Sequence, residues 1–185
     1  MIADEPAQLR VRSSTTVHHG LVWDVRRDEV DLGDGQTVTR EVVVHTGAVG
    51  IIALDEQDRV LLVRQYRHPV LSYLWEPPAG LLDIAGEDPL DAARRELAEE
   101  GDLRADEWHL LVDYYNSPGG STESFRCYLA RGLHDVPHDE RHDRHGEERD
   151  MATTWVQLDA ARDAGWSTLR PADSPWPDRS PGRSG

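Results

Sequence analysis

The chain predicts an α/β fold in which a helix packs on a covered sheet. Three observations carry that reading. Residues 47–54 (GAVGIIAL) and 60–66 (VLLVRQY) are short, nearly continuous apolar runs separated by the turn-forming residues 55–58 (DEQD). Runs apolar on both faces suit central strands of a covered sheet. Residues 88–100 read as an amphipathic helix, with Asp88 as N-cap, Pro89 at the first helical position, and Leu90, Ala93 and Leu97 at helical spacing. Finally, 185 residues suffice for one domain with a sizeable core.

Taken in order, residues 1–15 are polar and are expected to be flexible. Residues 17–30 carry loosely alternating β-branched positions, Asp34-Gly35 signals a turn, and residues 38–45 (VTREVVVH) follow as a second strand. They predict a hairpin or small N-terminal sheet, and divide the chain into 1–45, a main domain over 46–164, and a tail over 165–185 rich in Pro, Ser and Gly. Arg64 and Arg67 flank the end of the second apolar run; each is either a surface arginine or a bidentate phosphate contact. After the helix, residues 108–115 and 125–130 read as strands around a Pro/Gly break at 117–123. Residues 132–150 form a long charged stretch, whose His134, His138, His142 and His145 read as solvated side chains rather than a metal cluster. A last strand over 153–158 and a short helix over 159–164 precede the tail. No internal repeat is apparent.

Composition narrows the function. Asp and Glu number 35 against 20 Lys and Arg, a formal net charge of −15. This argues against a nucleic-acid backbone or an anionic membrane as the main partner, while leaving room for a small phosphorylated substrate whose charge is neutralised locally. Cys127, the single cysteine, forms no intrachain disulfide and reads as a small core residue. With no apolar signal core and no run of membrane-spanning length, a cytoplasmic setting is expected.

The chemistry concentrates on the helix. Glu96, Glu99 and Glu100 stand at i, i+3 and i+4, neighbours on one face, where like charges repel. The bland account is a solvated acidic face; the sharper one is a hard divalent cation held by carboxylates and a substrate's phosphates.

The arrangement Glu87-x7-Arg95-Glu96-Leu97-x-Glu99-Glu100, after a loop carrying Gly80 and Gly86, resembles the Nudix box, G-x5-E-x7-R-E-U-x-E-E-x-G-U. Residues 75–80, Trp-Glu-Pro-Pro-Ala-Gly, are similar to the W-E-x-P-A-G stretch of the family's ADP-ribose pyrophosphatases, and Ser117-Pro118-Gly119-Gly120-x-x-Glu123 to a loop of the same branch. The resemblance implies an α/β/α sandwich with a mixed sheet. Glu96, Glu99, Glu100 and the backbone carbonyl of Ala79 would hold Mg²⁺ or Mn²⁺. Gly80, Glu87 and Arg95 would shape the loop, the latter two as an ion pair. Arg64, Arg67, Glu76 and Glu123 would contact substrate, and an N-terminal sheet would make a homodimer. Glu147-Glu148-x-Asp150-Met151 resembles the segment bearing the family's general base, with Glu147 favoured over Glu148. The implied reaction is hydrolysis of ADP-ribose to AMP and ribose 5-phosphate. The alternatives are another nucleoside diphosphate sugar or NADH as substrate, or a ligand-binding module without turnover.

Four departures accompany the likeness. Six residues separate Gly80 from Glu87, one more than the pattern has. Asp102 replaces the late glycine, so Gly101 is expected to be the left-handed residue that ends the helix. Arg149 stands where a small residue is usual, and the long C-terminal helix of the family gives way to the tail from Gly165.

Overall fold

The computed structural model describes residues 4–144 and 151–164. The chain begins with an antiparallel three-stranded sheet, β1 (Arg10–His19), β2 (Asp24–Gly33) and β3 (Gln36–Val44). The expectation of flexibility up to residue 15 fails here. β1 starts at Arg10 because its polar side chains find partners on β2: Arg12 bonds Asp31 at 2.8 Å and Ser14 bonds Asp28 at 2.7 Å. The single strand expected over 17–30 also breaks, at residues 20–23, where a Cβ on Gly20 would run into the Trp23 carbonyl. This sheet has little interior of its own, since every residue of β1 is exposed.

The sandwich follows. β4 (Ala48–Ala53) and β5 (Arg59–Arg67) are the two apolar runs. β6 (Ser72–Glu76) and β7 (Ala79–Leu81) precede α1 (Pro89–Gly101), and β8 (Leu103–Tyr115), β9 (Ser124–Asp135), β10 (Ala152–Gln157) and α2 (Leu158–Ala164) complete the described chain. One sheet has the order β7-β4-β9-β8, with β4 and β9 parallel and the outer pairs antiparallel. The other has the order β10-β5-β6, all antiparallel.

Alternation along the strands divides the core between two helices. Val49, Ile51 and Ala53 of β4 and Leu61 of β5 pack with Ala92, Ala93 and Leu97 of α1. The intervening Ile52, with Leu54, Val60 and Leu62, packs with Ala161 of α2 and with Trp75 and Val156. Strands apolar on both faces therefore need a helix on each side, which is the α/β/α arrangement. β6, bearing Tyr73 and Trp75, is a strand hidden in the sequence between Pro69 and the Pro77-Pro78 pair. The expected loop from residue 132 begins later, because β9 runs on to Asp135 in register with β8. The tail from Gly165 lies outside the described residues.

Candidate active site

The site forms where β7, the loop after it and α1 meet β5. α1 starts as its sequence dictates: the Asp88 carboxylate accepts from the Leu90 N–H at 2.9 Å, and Pro89 needs no donor. Its C-terminal end differs from expectation. Asp102, at φ 53°, is the left-handed residue, and Gly101 stays in the helix. Asp visits this region more readily than most residues. Gly101 is small for a packing reason, since a Cβ there would come within 2.9 Å of Leu61 Cδ2.

Gly80 is required by close approach: a Cβ on it would fall inside the Glu96 carboxylate. Arg95 organises the next layer. It binds Glu87 through two bonds, Nε to Oε1 at 3.1 Å and Nη2 to Oε2 at 3.0 Å, while Nη1 reaches Glu96 at 2.6 Å and Glu99 at 3.2 Å. The bond from Arg95 holds the Glu87 carboxyl below its ordinary value. Reciprocally, Glu87 first and Glu96 next raise Arg95. Some of the repulsion between carboxylates is thus offset within the helix itself, at the i,i+4 spacing of Arg95 and Glu99.

Glu100 is different. It is 5% exposed, and one oxygen accepts from the Ala79 N–H at 2.9 Å while the other accepts from Gln65 Nε2. Burial pushes its carboxyl up to about 7, with the Glu96 charge adding to the rise and the two hydrogen bonds opposing it. Glu96, Glu99 and Glu100 line one cleft of about 380 Å³ together with Ala79, Gly80, Arg95, Gln65, Tyr66, Arg67, Leu81 and Asp83.

The cleft residues all fall within the span that a family model matches. The NUDIX domain model matches residues 44–175. The chain belongs to the Nudix family. An ADP-ribose pyrophosphatase of Mycobacterium tuberculosis is 43% identical over 90% of each chain. A methanol dehydrogenase activator of Bacillus methanolicus is 39% identical over 63% of each. A solved structure titled as an ADP compounds hydrolase shares the fold, with a TM-score of 0.70 at 20% identity, covering 87% of this chain and 84% of the other.

Against the Nudix pattern, the structure brings together Ala79, Gly80, Glu87, Arg95, Glu96, Glu99 and Glu100, but treats the flanking candidates unevenly. Arg67 lines the cleft and is gripped by Glu76, Nη2 to Oε2 at 2.6 Å. Arg64 is not among the lining residues; its guanidinium lies over Tyr73, 4.5 Å from the ring centroid. The reason is parity. Residues three apart on a strand face opposite ways, so Gln65 rather than Arg64 shares the face of Arg67. Glu123 sits on the β8–β9 loop, accepting from Asn116 Nδ2 at 3.1 Å, and does not line this cleft. Glu147 and Glu148 lie outside the described residues. Gln65 was missed by sequence reasoning, although the period-2 pattern through Val63, Gln65 and Arg67 carried the signal. Asp83 and Tyr66 had no comparable signal.

Proposed function

We propose that this Nudix protein hydrolyses the diphosphate of ADP-ribose, giving AMP and ribose 5-phosphate. The observation that carries the reading is the single cleft lined by Glu96, Glu99, the buried Glu100 and the Ala79-Gly80 backbone, with Arg67 beside them. The ADP-ribose preference is supported by the stretch at 75–80, the loop at 117–123 and the 43% identity to the mycobacterial pyrophosphatase.

The donor set suits Mg²⁺ or Mn²⁺. Carboxylates and a backbone carbonyl are hard oxygen ligands, and a carboxyl raised to about 7 by burial is one that a cation would stabilise in its charged form. Among the described residues the carboxylates do not converge on a common point, because Glu96 and Glu99 turn to Arg95 and Glu100 to Ala79. Glu96, Glu99, Glu100 and the Ala79 carbonyl are the groups that would hold the metal. When bound, it supplies positive charge against the diphosphate and the charge that develops on it.

The chain's residues do the rest. Glu87 fixes Arg95, which keeps Glu96 and Glu99 on one face. Glu76 holds Arg67 at the cleft, where its guanidinium faces an anionic substrate. Water adds across the P–O–P link: one phosphorus gains the hydroxyl and the bridging oxygen leaves with the other. A carboxylate off the helix must take the water's proton, because α1's own are committed; Glu147, or else Glu148, is assigned that role. Glu123 is assigned to the ribose side of the substrate and Arg64 to its outer rim. The N-terminal sheet is assigned to a homodimer, in which a second copy covers Val11, Val17, Leu21 and Trp23, all exposed in the single chain. No helix among the described residues is long and apolar enough to cross a membrane; a cytoplasmic setting is assigned from the lone cysteine.

The test of substrate class is a ranking of kcat/KM over ADP-ribose, GDP-mannose, UDP-glucose and NADH. ADP-ribose should lead. A lead by another compound would transfer the chemistry to that substrate, and binding without turnover across the panel would make the protein a ligand-binding module.

A further inference from the structure

The last turn of α1 is electrostatically adverse. A helix C-terminus carries the negative end of the macrodipole and leaves its final carbonyls without intrahelical partners. Cations favour such an end, yet α1 has no basic residue in its last turn. Instead Glu99 and Glu100 place carboxylates there, a turn beyond Glu96, and Asp102 adds another just past the end. Without a counter-charge the turn bearing Glu99 and Glu100 would tend to fray.

That counter-charge comes from far along the chain. Arg144 Nε donates to the Glu99 carbonyl at 3.0 Å, and Nη2 donates to the Glu100 carbonyl at 2.9 Å and to Asp102 Oδ2 at 2.9 Å. A single planar guanidinium therefore spans the backbone of two candidate metal ligands and the side chain that follows them. The pair is partly shielded, with Arg144 20% and Asp102 25% exposed. The segment leading to Arg144 is tied to the same helix end, because the Val136 N–H donates to the Asp102 carbonyl at 2.8 Å and Arg141 Nε donates to the Val136 carbonyl at 3.1 Å.

We propose that Arg144 is a positioning residue of the metal-binding helix, with Asp102 as its anchor. It holds the backbone of Glu99 and Glu100 in place so that their carboxylates stay aimed at the cleft. The proposal also gives a reason for one departure from the Nudix box: where a glycine would end the helix without strain, this chain places an Asp at φ 53° and gains a carboxylate for Arg144. The inference rests on reading the cleft as a divalent-metal site.

The experiment uses the full-length chain. Mn²⁺ affinity is measured by calorimetry without substrate, kcat and KM with ADP-ribose, and fold stability by thermal unfolding. Arg144→Ala should weaken Mn²⁺ binding about tenfold and lower kcat between roughly 10- and 100-fold, as small misplacements of catalytic groups do, with KM little changed. Arg144→Lys should recover part of the loss, since one ammonium cannot span both carbonyls and the carboxylate. Asp102→Gly should act in the same direction and add little in the Arg144→Ala background. A lowered unfolding temperature with wild-type Mn²⁺ affinity and kcat would mark Arg144 as merely structural and overturn the proposal. Should Arg144→Ala not fold, wild-type values for both Arg144→Lys and Asp102→Gly would overturn it. A wild-type protein that neither binds Mn²⁺ nor turns over would instead remove the metal-site reading beneath it.

Discussion

Replacing Glu100 by Gln should make the metal-free protein more stable while removing its activity. Glu100 is 5% exposed, and burial raises its carboxyl from the ordinary glutamate range to about 7. A raised acid contributes stability that is fully present below the unfolded pKa and is lost as pH climbs through the folded one. The wild-type protein should therefore lose on the order of 3 kcal/mol between about pH 4.5 and 7, since each tenfold change in a protonation equilibrium is worth about 1.4 kcal/mol. The neutral amide of Glu100→Gln avoids that loss. Its carbonyl can accept from the Ala79 N–H, and its NH₂ can donate to Gln65 once that side chain turns over. Urea unfolding in EDTA at pH 8 should find Glu100→Gln more stable by about 1–3 kcal/mol, with the difference gone at pH 4. Adding Mg²⁺ should stabilise the wild type and leave the variant unchanged. A variant no more stable at pH 8, or one whose stability follows pH as the wild type does, would refute the account of Glu100 as a carboxylate whose charged form burial disfavours.

Three further outcomes follow from the same geometry. Gly80→Ala puts a methyl into the Glu96 carboxylate, so Glu96 must move; kcat should fall at least about tenfold, with about 1–3 kcal/mol of stability lost, and wild-type kinetics would show that the close approach is dispensable. Arg67→Ala should raise KM for ADP-ribose about tenfold or more by removing a guanidinium from the cleft, whereas Arg64→Ala, off the cleft lining, should change KM less than about threefold; steady-state kinetics on both variants decides whether strand parity sorts the two arginines. Of Glu147→Gln and Glu148→Gln, the first should lower kcat by about 100-fold or more and the second by much less, while wild-type rates in both would place the general base elsewhere.

The box was legible in the sequence because its geometry is local. A helix fixes the relation of Glu96, Glu99 and Glu100 by spacing alone, and Arg95 and Glu87 are joined across a short loop. The central strands were legible for a similar reason, since runs apolar on both faces need cover on both. What was hidden depends on distant pairing. β1 is a polar strand that exists through its ladder with β2, and residues 10–15 give no hydrophobic signal of it. The helix terminus was misassigned by one residue because Gly101 offers the freedom a left-handed residue needs, whereas the structure uses that glycine to admit Leu61 and lets Asp102 turn the chain. Gln65 reaches the site from the second apolar run, where the period-2 pattern marks its face but not its partner, and Arg144 from the charged stretch over 132–150, where nothing local announces that it meets α1.

The most direct test of the central claim is product analysis of the purified protein with ADP-ribose and Mg²⁺, with an EDTA control. AMP and ribose 5-phosphate in equal amounts, lost on chelation and restored by excess Mg²⁺, is the expected result. Intact ADP-ribose under those conditions, or cleavage unaffected by EDTA, would contradict the account.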